Sequence, residues 1–245
     1  MSSTKEVAVV TGAGSGIGHA IALRLASKGV RVVVADLNLA AAQATAATDA
    51  EHLVAMDVDI ADRARVDALR DRVLKELGTP RMLVNAAGWD HIGPFLDMDT
   101  ATAQKIVAID YFGPVNMCSA FLPAMVEAGY GRVVNIASDA GRVGSSGETV
   151  YAGAKGGVIA LTKSLAREMS RHGITLNCVC PGPTDTPLFR SLPEKLQQGL
   201  VKAIPLHRLA QPDEIATAVT FFLGEDTAYI TGQVLSVSGG LTMAG

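Results

Sequence analysis

Three side chains in the middle of the chain have the types and spacing needed to move a proton to or from an oxygen atom. Tyr151 and Lys155 are four residues apart in a stretch with helical periodicity, so both project from one helix face. Ser138 ends the preceding apolar run. Lowering a phenol pKa from near 10 to about 7 takes roughly 4 kcal/mol of phenolate stabilisation, part of which a neighbouring ammonium supplies. Taken alone, such a pair is also typical of a half-buried helix surface.

A glycine-rich turn near the start of the chain could bind phosphate. It reads Thr11-Gly12-Ala13-Gly14-Ser15-Gly16-Ile17-Gly18 and follows an apolar run of strand length directly. At the start of a helix, backbone N–H groups and the helix dipole can hold a pyrophosphate. Glycine also serves ordinary tight turns. Its place between a strand and a helix favours a dinucleotide site.

The end of the next apolar run predicts which dinucleotide binds. Asp36 lies 18 residues beyond Gly18, where a carboxylate can accept hydrogen bonds from ribose hydroxyls and repel a 2′-phosphate. Neither Leu37 nor Asn38 is positively charged, and Ser15 occupies a loop position where a basic residue would suggest phosphate recognition. We therefore expect NAD as the cofactor. A solvated helix cap is the alternative for Asp36.

Asp57 and Val58 end the third apolar run. The carboxylate of Asp57 could meet the adenine amino group, but an aspartate after a strand is equally a common turn residue. Both interpretations stay open.

The elements that must position these residues follow from the apolar pattern. Seven runs have strand length: Val7 to Thr11, Val32 to Ala35, Leu53 to Met56, Met82 to Asn85, Val133 to Ala137, Leu176 to Val179 and Val234 to Val237. Seven stretches between them have helical spacing: Ile17 to Ser27, Leu39 to Ala47, Val66 to Leu77, Ala101 to Ile109, Phe121 to Glu127, Val150 to Arg171 and Glu214 to Leu223. The alternation predicts an α/β fold, a single doubly wound Rossmann domain with a seven-stranded parallel sheet flanked by helices.

Composition limits the other possibilities. The 245 residues, 49% hydrophobic, suit one domain over residues 1–245, with a proline-rich and polar break at about 183–205 that we interpret as a substrate lid. A net charge of -3 argues against nucleic acid. No apolar stretch approaches the roughly 20 residues that span a bilayer, and the first six residues are polar, so we expect a cytoplasmic protein without membrane contact. We expect no metal, and we expect Cys118, Cys178 and Cys180 to be reduced core residues.

Together these motifs resemble the classical short-chain dehydrogenase/reductase family. They are Thr11 to Gly18, Asn85-Ala-Ala-Gly88, Ser138, Tyr151-Ala-Gly-Ala-Lys155 and Pro181-Gly182, and the match covers essentially the whole chain. The resemblance implies an NAD-dependent alcohol dehydrogenase, usually a homotetramer. It also implies that Asn85 supports the central strand and the cofactor, that Lys155 binds the nicotinamide ribose, and that Thr184 and Thr186 flank the nicotinamide amide. The expected cofactor set is Gly12, Ser15, Gly16, Ile17, Gly18, Asp36, Asp57, Val58, Asn85, Ala86, Gly88, Tyr151, Lys155, Pro181, Gly182, Thr184 and Thr186.

One position departs from the family pattern. Asp110-Tyr111-Phe112-Gly113 stands where the family has Asn-x-x-Gly, whose Asn helps to hold a water leading from the lysine to solvent. An aspartate can accept the same hydrogen bonds but cannot donate amide protons. Asn116 lies about 240° further around a helix and is a poor substitute. We keep Asp110 in the catalytic set with Ser138, Tyr151 and Lys155.

The substrate is less clearly marked. Four stretches resemble the family branch that oxidises 2-hydroxycyclohexanecarboxyl-CoA: Asn85 to Asp90, Asp139 to Glu148, Val179 to Thr186 and Ile230 to Met243. Trp89 could wall a pocket for a cyclic group, beside Ser138 and Tyr151. The side chains that could reach CoA phosphates are Arg142, Arg190, Lys195 and Lys202, although each is equally typical of a solvated surface.

We therefore expect reversible oxidation of a secondary alcohol to a ketone with NAD, on an alicyclic β-hydroxyacyl-CoA. A 3-oxoacyl-carrier-protein reductase and a general cyclic-alcohol dehydrogenase are the enzymatic alternatives. A non-catalytic dinucleotide-binding sensor, with Asp110 as the trace of lost turnover, is the alternative from another class.

Overall fold

Seven parallel strands form one sheet in the computed structural model, which describes residues 6–243. They are β1 (Val7–Thr11), β2 (Arg31–Asp36), β3 (Leu53–Asp57), β4 (Met82–Asn85), β5 (Gly131–Ile136), β6 (Ile174–Pro181) and β7 (Val234–Val237). Their order across the sheet is β3-β2-β1-β4-β5-β6-β7. The predicted α/β fold is confirmed, and the order reverses between β1 and β4. A crevice opens at such a reversal, beyond the carboxyl ends of the strands.

Helices cover both faces of the sheet. They are α1 (Gly16–Ala26), α2 (Leu39–Ala46), α3 (Arg63–Glu76), α4 (Thr100–Val107), α5 (Gly113–Ala128), α6 (Ala140–Val143), α7 (Thr149–Met169), α8 (Pro187–Arg190), α9 (Glu194–Ala203) and α10 (Pro212–Leu223). One core joins α1 and α10 to the sheet, and a second core joins α3 and α5 to the opposite face. Both faces are therefore buried, as a parallel sheet requires.

The helical run from Thr100 to Ala128 is longer than the sequence suggested. A π-helical turn, Ala108–Phe112, joins α4 to α5, which begins at Gly113 rather than at Phe121. Pro114 directly follows the π-helical turn at the start of α5. By length and composition alone this run could cross a membrane, contrary to our expectation, but half of it is buried inside the fold. Its apolar side is the face that covers the sheet.

The predicted lid contains two short helices. Residues 183–205 include α8, which begins after Thr186, and α9, which follows Pro193. The hydroxyl of Thr186 accepts the N–H of Phe189 at 3.2 Å and so caps α8. This segment follows β6 directly and lies at the same edge of the sheet as the glycine-rich turn.

Candidate active site

The glycine-rich turn packs against the segment that follows β4. Gly12 has a φ of +65°, and a Cβ there would lie 2.7 Å from the Cα of Ala87. The hydroxyl of Thr11 accepts the N–H groups of Ala86 and Ala87 at 3.0 and 3.2 Å. Only a residue without a side chain fits this approach. The turn is thereby fixed over the crevice between β1 and β4.

The N-terminus of α1 has the form of an anion site. Ser15 precedes the helix in an extended conformation, and its side chain makes no capping hydrogen bond. The first N–H groups of a helix have no partner within the helix, so they remain available to a phosphate. A Cβ on Gly18 would lie 2.3 Å from the carbonyl oxygen of Gly12, which shows how tightly the turn is wound. This cradle fits the pyrophosphate of a dinucleotide, held by the backbone of Ser15, Gly16 and Ile17.

Asp36 ends β2 beside this cradle. One carboxylate oxygen accepts the N–H of Gly14 at 2.9 Å, and the other accepts the N–H of Asn38 at 2.9 Å. The side chain of Leu37 next to it is largely exposed. Each carboxylate oxygen has a further lone pair, so Asp36 can also accept hydrogen bonds from a ribose. This geometry places an acceptor where the adenosine end of the cofactor would lie.

Asp57 and Val58 differ in their exposure and in their hydrogen bonds. The carboxylate of Asp57 is exposed and paired with Arg65 on α3. Val58 is buried in the core, and its N–H donates to the carbonyl oxygen of Asp36 at 3.0 Å. Because that amide is already used, Asp57 is the group of the two that faces outward. A contact with adenine stays a prediction.

Lys155 is fixed by two oxygen atoms. Its side chain is almost fully buried, and Nζ donates to the carbonyl oxygen of Ile136 at the end of β5 at 3.1 Å. The carboxylate of Asp110 also lies 3.1 Å from Nζ. Burial is the largest effect and lowers the pKa of Lys155, but Asp110, Tyr151 and Cys178 together outweigh burial, and the net pKa is raised. The ammonium is therefore charged at neutral pH.

Asp110 lies at the π-helical turn between α4 and α5 and is fully buried. Its two oxygens also accept the N–H of Trp89, each at 3.3 Å. Burial raises the pKa of Asp110, whereas Lys155 and the Trp89 amide work against that increase. A Cβ on Gly88 would lie 2.8 Å from the Asp110 carboxylate, so glycine is needed there to make room for the ion pair.

Tyr151 and Lys155 share one face of α7, as their spacing predicts. Nζ lies 5.5 Å from the centre of the phenol ring. Burial raises the pKa of Tyr151 to about 12. The ammonium of Lys155 works in the opposite direction, but three carboxylates oppose it: Asp110, Asp90 and Glu148. Without a further positive charge nearby, Tyr151 is a proton donor rather than a base.

Ser138 follows β5 and is half-buried. Its hydroxyl oxygen accepts the N–H of Ala140 at 3.1 Å. Lys155 bonds to the backbone two residues earlier in the same strand end, at Ile136. This bond joins the end of β5 to α7, and Ser138 lies two residues beyond it along the chain.

Asp90 and Glu148 are two further carboxyl groups at the site that the sequence motifs do not mark. Burial together with the neighbouring Glu148 raises the pKa of Asp90 to about 7. A hydrogen bond from the N–H of Gly93 to the carbonyl oxygen of Gly147, 2.9 Å long, joins the two loops that carry them. Both loops follow sheet elements at the carboxyl edge, and that position was the available signal.

Asn85 lies inside the sheet rather than at its edge. Its amide donates to the side chain of Asn135 on β5 at 2.7 Å, and Asn135 in turn donates to Thr162 on α7 at 2.9 Å. These buried bonds tie β4, β5 and α7 together. Asn85 therefore supports the frame of the site, while Ala86 and Gly88 follow it into the crevice.

The segment after β6 meets the glycine-rich turn. A Cβ on Gly16 would lie 3.3 Å from the methyl group of Thr186, so these two residues are neighbours. Thr184 is buried and donates its hydroxyl to the carbonyl oxygen of Gly182 at 2.9 Å. Gly182, which follows Pro181, is packed against Ser238 after β7. Of the two threonines, Thr186 is the one beside the expected cofactor cradle.

The residues expected to bind substrate differ in their surroundings. Trp89 lies beside Asp110, with the ammonium of Lys105 3.9 Å from the centre of its indole ring. Arg142 donates to the hydroxyl of Ser236 on β7 at 2.7 Å, and Arg190 is paired with Asp185 at 2.7 Å. Both arginines thus have partners within the fold, which weakens their assignment to CoA phosphates.

Lys202 lines a cavity of about 460 Å³ formed by the lid and the segment after it, together with Phe189 and His207. Lys195 lies on the same helix, α9. Across residues 6–243 no three His, Cys, Asp or Glu side chains are grouped so as to hold a metal ion. The three cysteines are buried and form no disulfide.

Comparisons with known proteins agree with this geometry. A family model described as enoyl-(acyl carrier protein) reductase matches residues 12–242. The chain is 37% identical to the (2S)-[(R)-hydroxy(phenyl)methyl]succinyl-CoA dehydrogenase subunit BbsD of Thauera aromatica, over 99% of both chains. It is 38% identical to the (3R)-3-hydroxyacyl-CoA dehydrogenase of Rattus norvegicus, over 97% of this chain and 96% of the relative.

A relative with a different substrate carrier is also similar. The 3-oxoacyl-[acyl-carrier-protein] reductase FabG of Escherichia coli is 34% identical, over 97% of this chain and 98% of the relative. Among solved structures, levodione reductase matches with a TM-score of 0.92 and 31% identity over 97% of each chain.

Proposed function

Because the chain belongs to the short-chain dehydrogenase/reductase family and is an oxidoreductase of secondary alcohols with an NAD(P) cofactor, we propose a narrower reaction. The enzyme oxidises the hydroxyl group of an alicyclic β-hydroxyacyl-CoA, such as 2-hydroxycyclohexanecarboxyl-CoA, to a ketone, with NAD+ as the oxidant. The observation that carries this proposal is the pairing of Tyr151 and Lys155 on α7, with Lys155 bound to the end of β5 two residues before Ser138, at the edge of the sheet that also holds the glycine cradle and Asp36.

Asp36 supports NAD over NADP. Its carboxylate is fixed by the N–H groups of Gly14 and Asn38, so it cannot turn away from an incoming adenosine without losing both bonds. A 2′-phosphate would bring negative charge against this carboxylate. Like charges at such short range cost binding energy, whereas ribose hydroxyls would gain hydrogen bonds.

The protein side of the reaction is proton transfer and orientation. A nicotinamide cofactor held by the glycine cradle and Asp36 would supply the hydride acceptor. Ser138 and Tyr151 hydrogen-bond the substrate oxygen and hold it in one place. Tyr151 takes the hydroxyl proton as the ketone forms and returns it in the reverse direction. Lys155 stabilises the phenolate by its charge and binds the ribose. The positive charge of a bound NAD+ would add to that of Lys155 in lowering the pKa of the buried Tyr151.

The acyl-CoA part of the proposal rests on the relatives and on the lid. Two relatives that cover nearly the whole chain are named for hydroxyacyl-CoA substrates. Lys202 lines the cavity at the lid, and Lys195 is on the same helix. Trp89 lies next to the buried Asp110 and could bound the alicyclic ring. These features support a thioester whose charged end lies toward α9.

Reduction of a 3-oxoacyl group on a carrier protein is the second candidate. The identity to the Escherichia coli reductase favours it, and its catalytic residues would be the same. Such a reductase ordinarily uses NADPH, and Asp36 argues against that cofactor. The cofactor preference of the purified protein therefore separates the two functions.

We further propose that the protein is a cytoplasmic homotetramer without membrane or nucleic-acid partners. The edge strand β7 carries Leu235 with 40% of its surface exposed, and Tyr229 just before it is fully exposed. An exposed apolar sheet edge is a surface that other chains can cover. Light scattering on the purified protein should give about four times the monomer mass of 25.4 kDa.

The test is NADH formation by the purified protein. The substrates are racemic 2-hydroxycyclohexanecarboxyl-CoA, its free acid, cyclohexanol and 3-hydroxybutanoyl-CoA, each with NAD+ and with NADP+. Turnover with NAD+ that is highest for the alicyclic thioester is the expected result. Equal rates with the free acid would leave a general cyclic-alcohol dehydrogenase, and NADP+ preference would favour the carrier-protein reductase. NADH binding without turnover of any substrate would support the sensor.

A further inference from the structure

The catalytic lysine is neutralised by a buried carboxylate that the family pattern replaces with an amide. Asp110 has no exposed surface, and only 3% of Lys155 is exposed. The two charged groups lie 3.1 Å apart, and the glycine at position 88 leaves the space that they occupy. An asparagine at position 110 would leave Lys155 without a counter-charge, so the lysine would be a net positive charge below its own pKa, which burial lowers once the carboxylate is gone. The aspartate makes the pair neutral.

A neutral pair changes what Lys155 can do for Tyr151. A lone ammonium in a site of low dielectric stabilises a nearby phenolate strongly, because few water molecules screen it. A carboxylate in contact with the ammonium cancels much of that field at a third group. In the pH range where a tyrosine loses its proton, Asp110 is ionised even though burial raises its pKa. The negative charge of Asp110 is therefore present in the pH range where Tyr151 loses its proton.

Resting on the proposed function, we propose that Asp110 is a positioning residue that fixes Lys155 at the carbonyl of Ile136 and cancels its charge at Tyr151. Tyr151 is then a weaker acid than it would be beside an unpaired lysine. Alcohol oxidation, which needs the phenolate, is shifted to higher pH. Carbonyl reduction, which needs the phenol, proceeds over a wider pH range.

Other titratable groups also lie around the pair. Tyr151 is influenced by Lys155, Asp110, Asp90 and Glu148. Besides Asp110 and Tyr151, Lys155 is influenced by the buried thiol of Cys178 on β6. Of the carboxylates near the tyrosine, Asp110 is the one in contact with Lys155, and burial and Glu148 hold much of Asp90 in its protonated form near neutral pH. Asp110 is therefore the group whose removal changes the net charge of the lysine site.

The test is a direct titration of Tyr151 in the cofactor-free protein. The protein contains four tyrosines, and labelling them with 13C at Cζ gives four signals, of which Tyr151→Phe identifies one. In Asp110→Asn the titration midpoint of Tyr151 should fall by about one pH unit or more. A midpoint that is unchanged or higher would overturn the proposal.

Two variants serve as controls. Glu148→Gln removes a carboxylate near Tyr151 that does not contact Lys155, and its effect on the midpoint should be smaller than that of Asp110→Asn. The double variant Asp110→Asn with Lys155→Met replaces a neutral pair by neutral groups, so its Tyr151 midpoint should stay close to that of wild type. If Asp110→Asn alone fails to fold, the double variant decides: an increase of one unit or more would show that the charge of Lys155 had not been cancelled.

Activity provides the second readout. With a substrate that turns over, the acidic limb of kcat/KM for oxidation should move about one unit lower in Asp110→Asn, whereas a merely structural loss would lower the rate at every pH. If no tested alcohol turns over, the proposed function fails, but the titration of Tyr151 still reports on the charge of the lysine site.

Discussion

The cofactor end of the site is formed by close backbone packing, whereas the reacting end is formed by a buried ion pair. At the cofactor end, glycines bring backbone against backbone, and the carboxylate of Asp36 is held by two backbone N–H groups and stays accessible. At the reacting end, Lys155 and Asp110 are buried as an ion pair. The first end depends on shape and tolerates few added atoms. The second depends on charge and tolerates few changes in ionisation.

The largest effect is expected from removing one oxygen atom at the reacting end. Tyr151→Phe should lower kcat by about a thousandfold or more, because proton transfer by a positioned group contributes about 10²–10⁴. NADH affinity, measured by fluorescence titration, should stay within about threefold of wild type. The matched control is Tyr111→Phe, on the neighbouring helical turn, which should retain activity. Loss of NADH binding in Tyr151→Phe would show that the two ends are not separable.

The next largest effect is expected from one added methyl group at the cofactor end. Gly18→Ala places a Cβ 2.3 Å from the carbonyl oxygen of Gly12 and should destabilise the fold by about 2–4 kcal/mol. Urea unfolding measures this loss, and NADH affinity should fall as well. Gly199→Ala in α9, where an added Cβ meets nothing within 4 Å, should be neutral or stabilising by up to about 1 kcal/mol. Equal stability of the two variants would show that the turn is not closely packed.

A smaller effect is expected from removing the charge but keeping the shape of Asp36. Asp36→Asn retains an oxygen that can accept the N–H of Gly14 and loses the repulsion of a 2′-phosphate. The preference for NAD+ over NADP+, measured as a ratio of kcat/KM values, should fall by about 10- to 100-fold, which is roughly 1.4–2.8 kcal/mol. An unchanged ratio would mean that shape alone selects the cofactor.

The smallest effect is expected from an ion pair outside both ends. Glu214 accepts two hydrogen bonds from Arg208, and this pair, with the N–H of Gln211, lowers the pKa of Glu214 to about 2. A lowered pKa contributes stability above the ordinary carboxyl pKa, and this contribution is lost as pH falls toward 2. Since 43% of the carboxylate side chain is exposed, Glu214→Gln should cost less than about 1 kcal/mol at pH 7. The difference from wild type should vanish near pH 2, as measured by thermal unfolding.

Sequence alone predicted the cofactor end in detail because its parts are close in sequence or follow from one crossover. The turn from Gly12 to Gly18 and the carboxylate of Asp36 belong to a single strand-helix-strand unit, whose geometry is nearly invariant in parallel sheets. The amide of Val58 donates to the backbone of β2, and its contact with the cofactor stays a prediction. Strand bounds were also predicted well, apart from the longer β6.

The residues of the reacting end could be identified from the sequence, but their arrangement in space could not. Tyr151 and Lys155 were expected on one helix face because four residues separate them. Of the carboxylates that act on them, Glu148 directly precedes α7, but Asp110 and Asp90 come from other segments, and no local pattern predicts their distances. The helical run from Thr100 to Ala128 was also misjudged, because tertiary packing carries it through Pro114 and a π-helical turn. Arg142 was expected to meet substrate, yet its guanidinium meets Ser236.

The central claim is hydride transfer from a secondary alcohol to NAD+ with Tyr151 as the base. The most direct measurement uses 2-hydroxycyclohexanecarboxyl-CoA that carries deuterium on the carbon bearing the hydroxyl, with NAD+ and the purified protein. Mass spectrometry should show NADH heavier by one mass unit, in a one-to-one ratio with the ketone formed, and no product with Tyr151→Phe. NADH without deuterium, or labelled NADH formed equally well by Tyr151→Phe, would contradict the account.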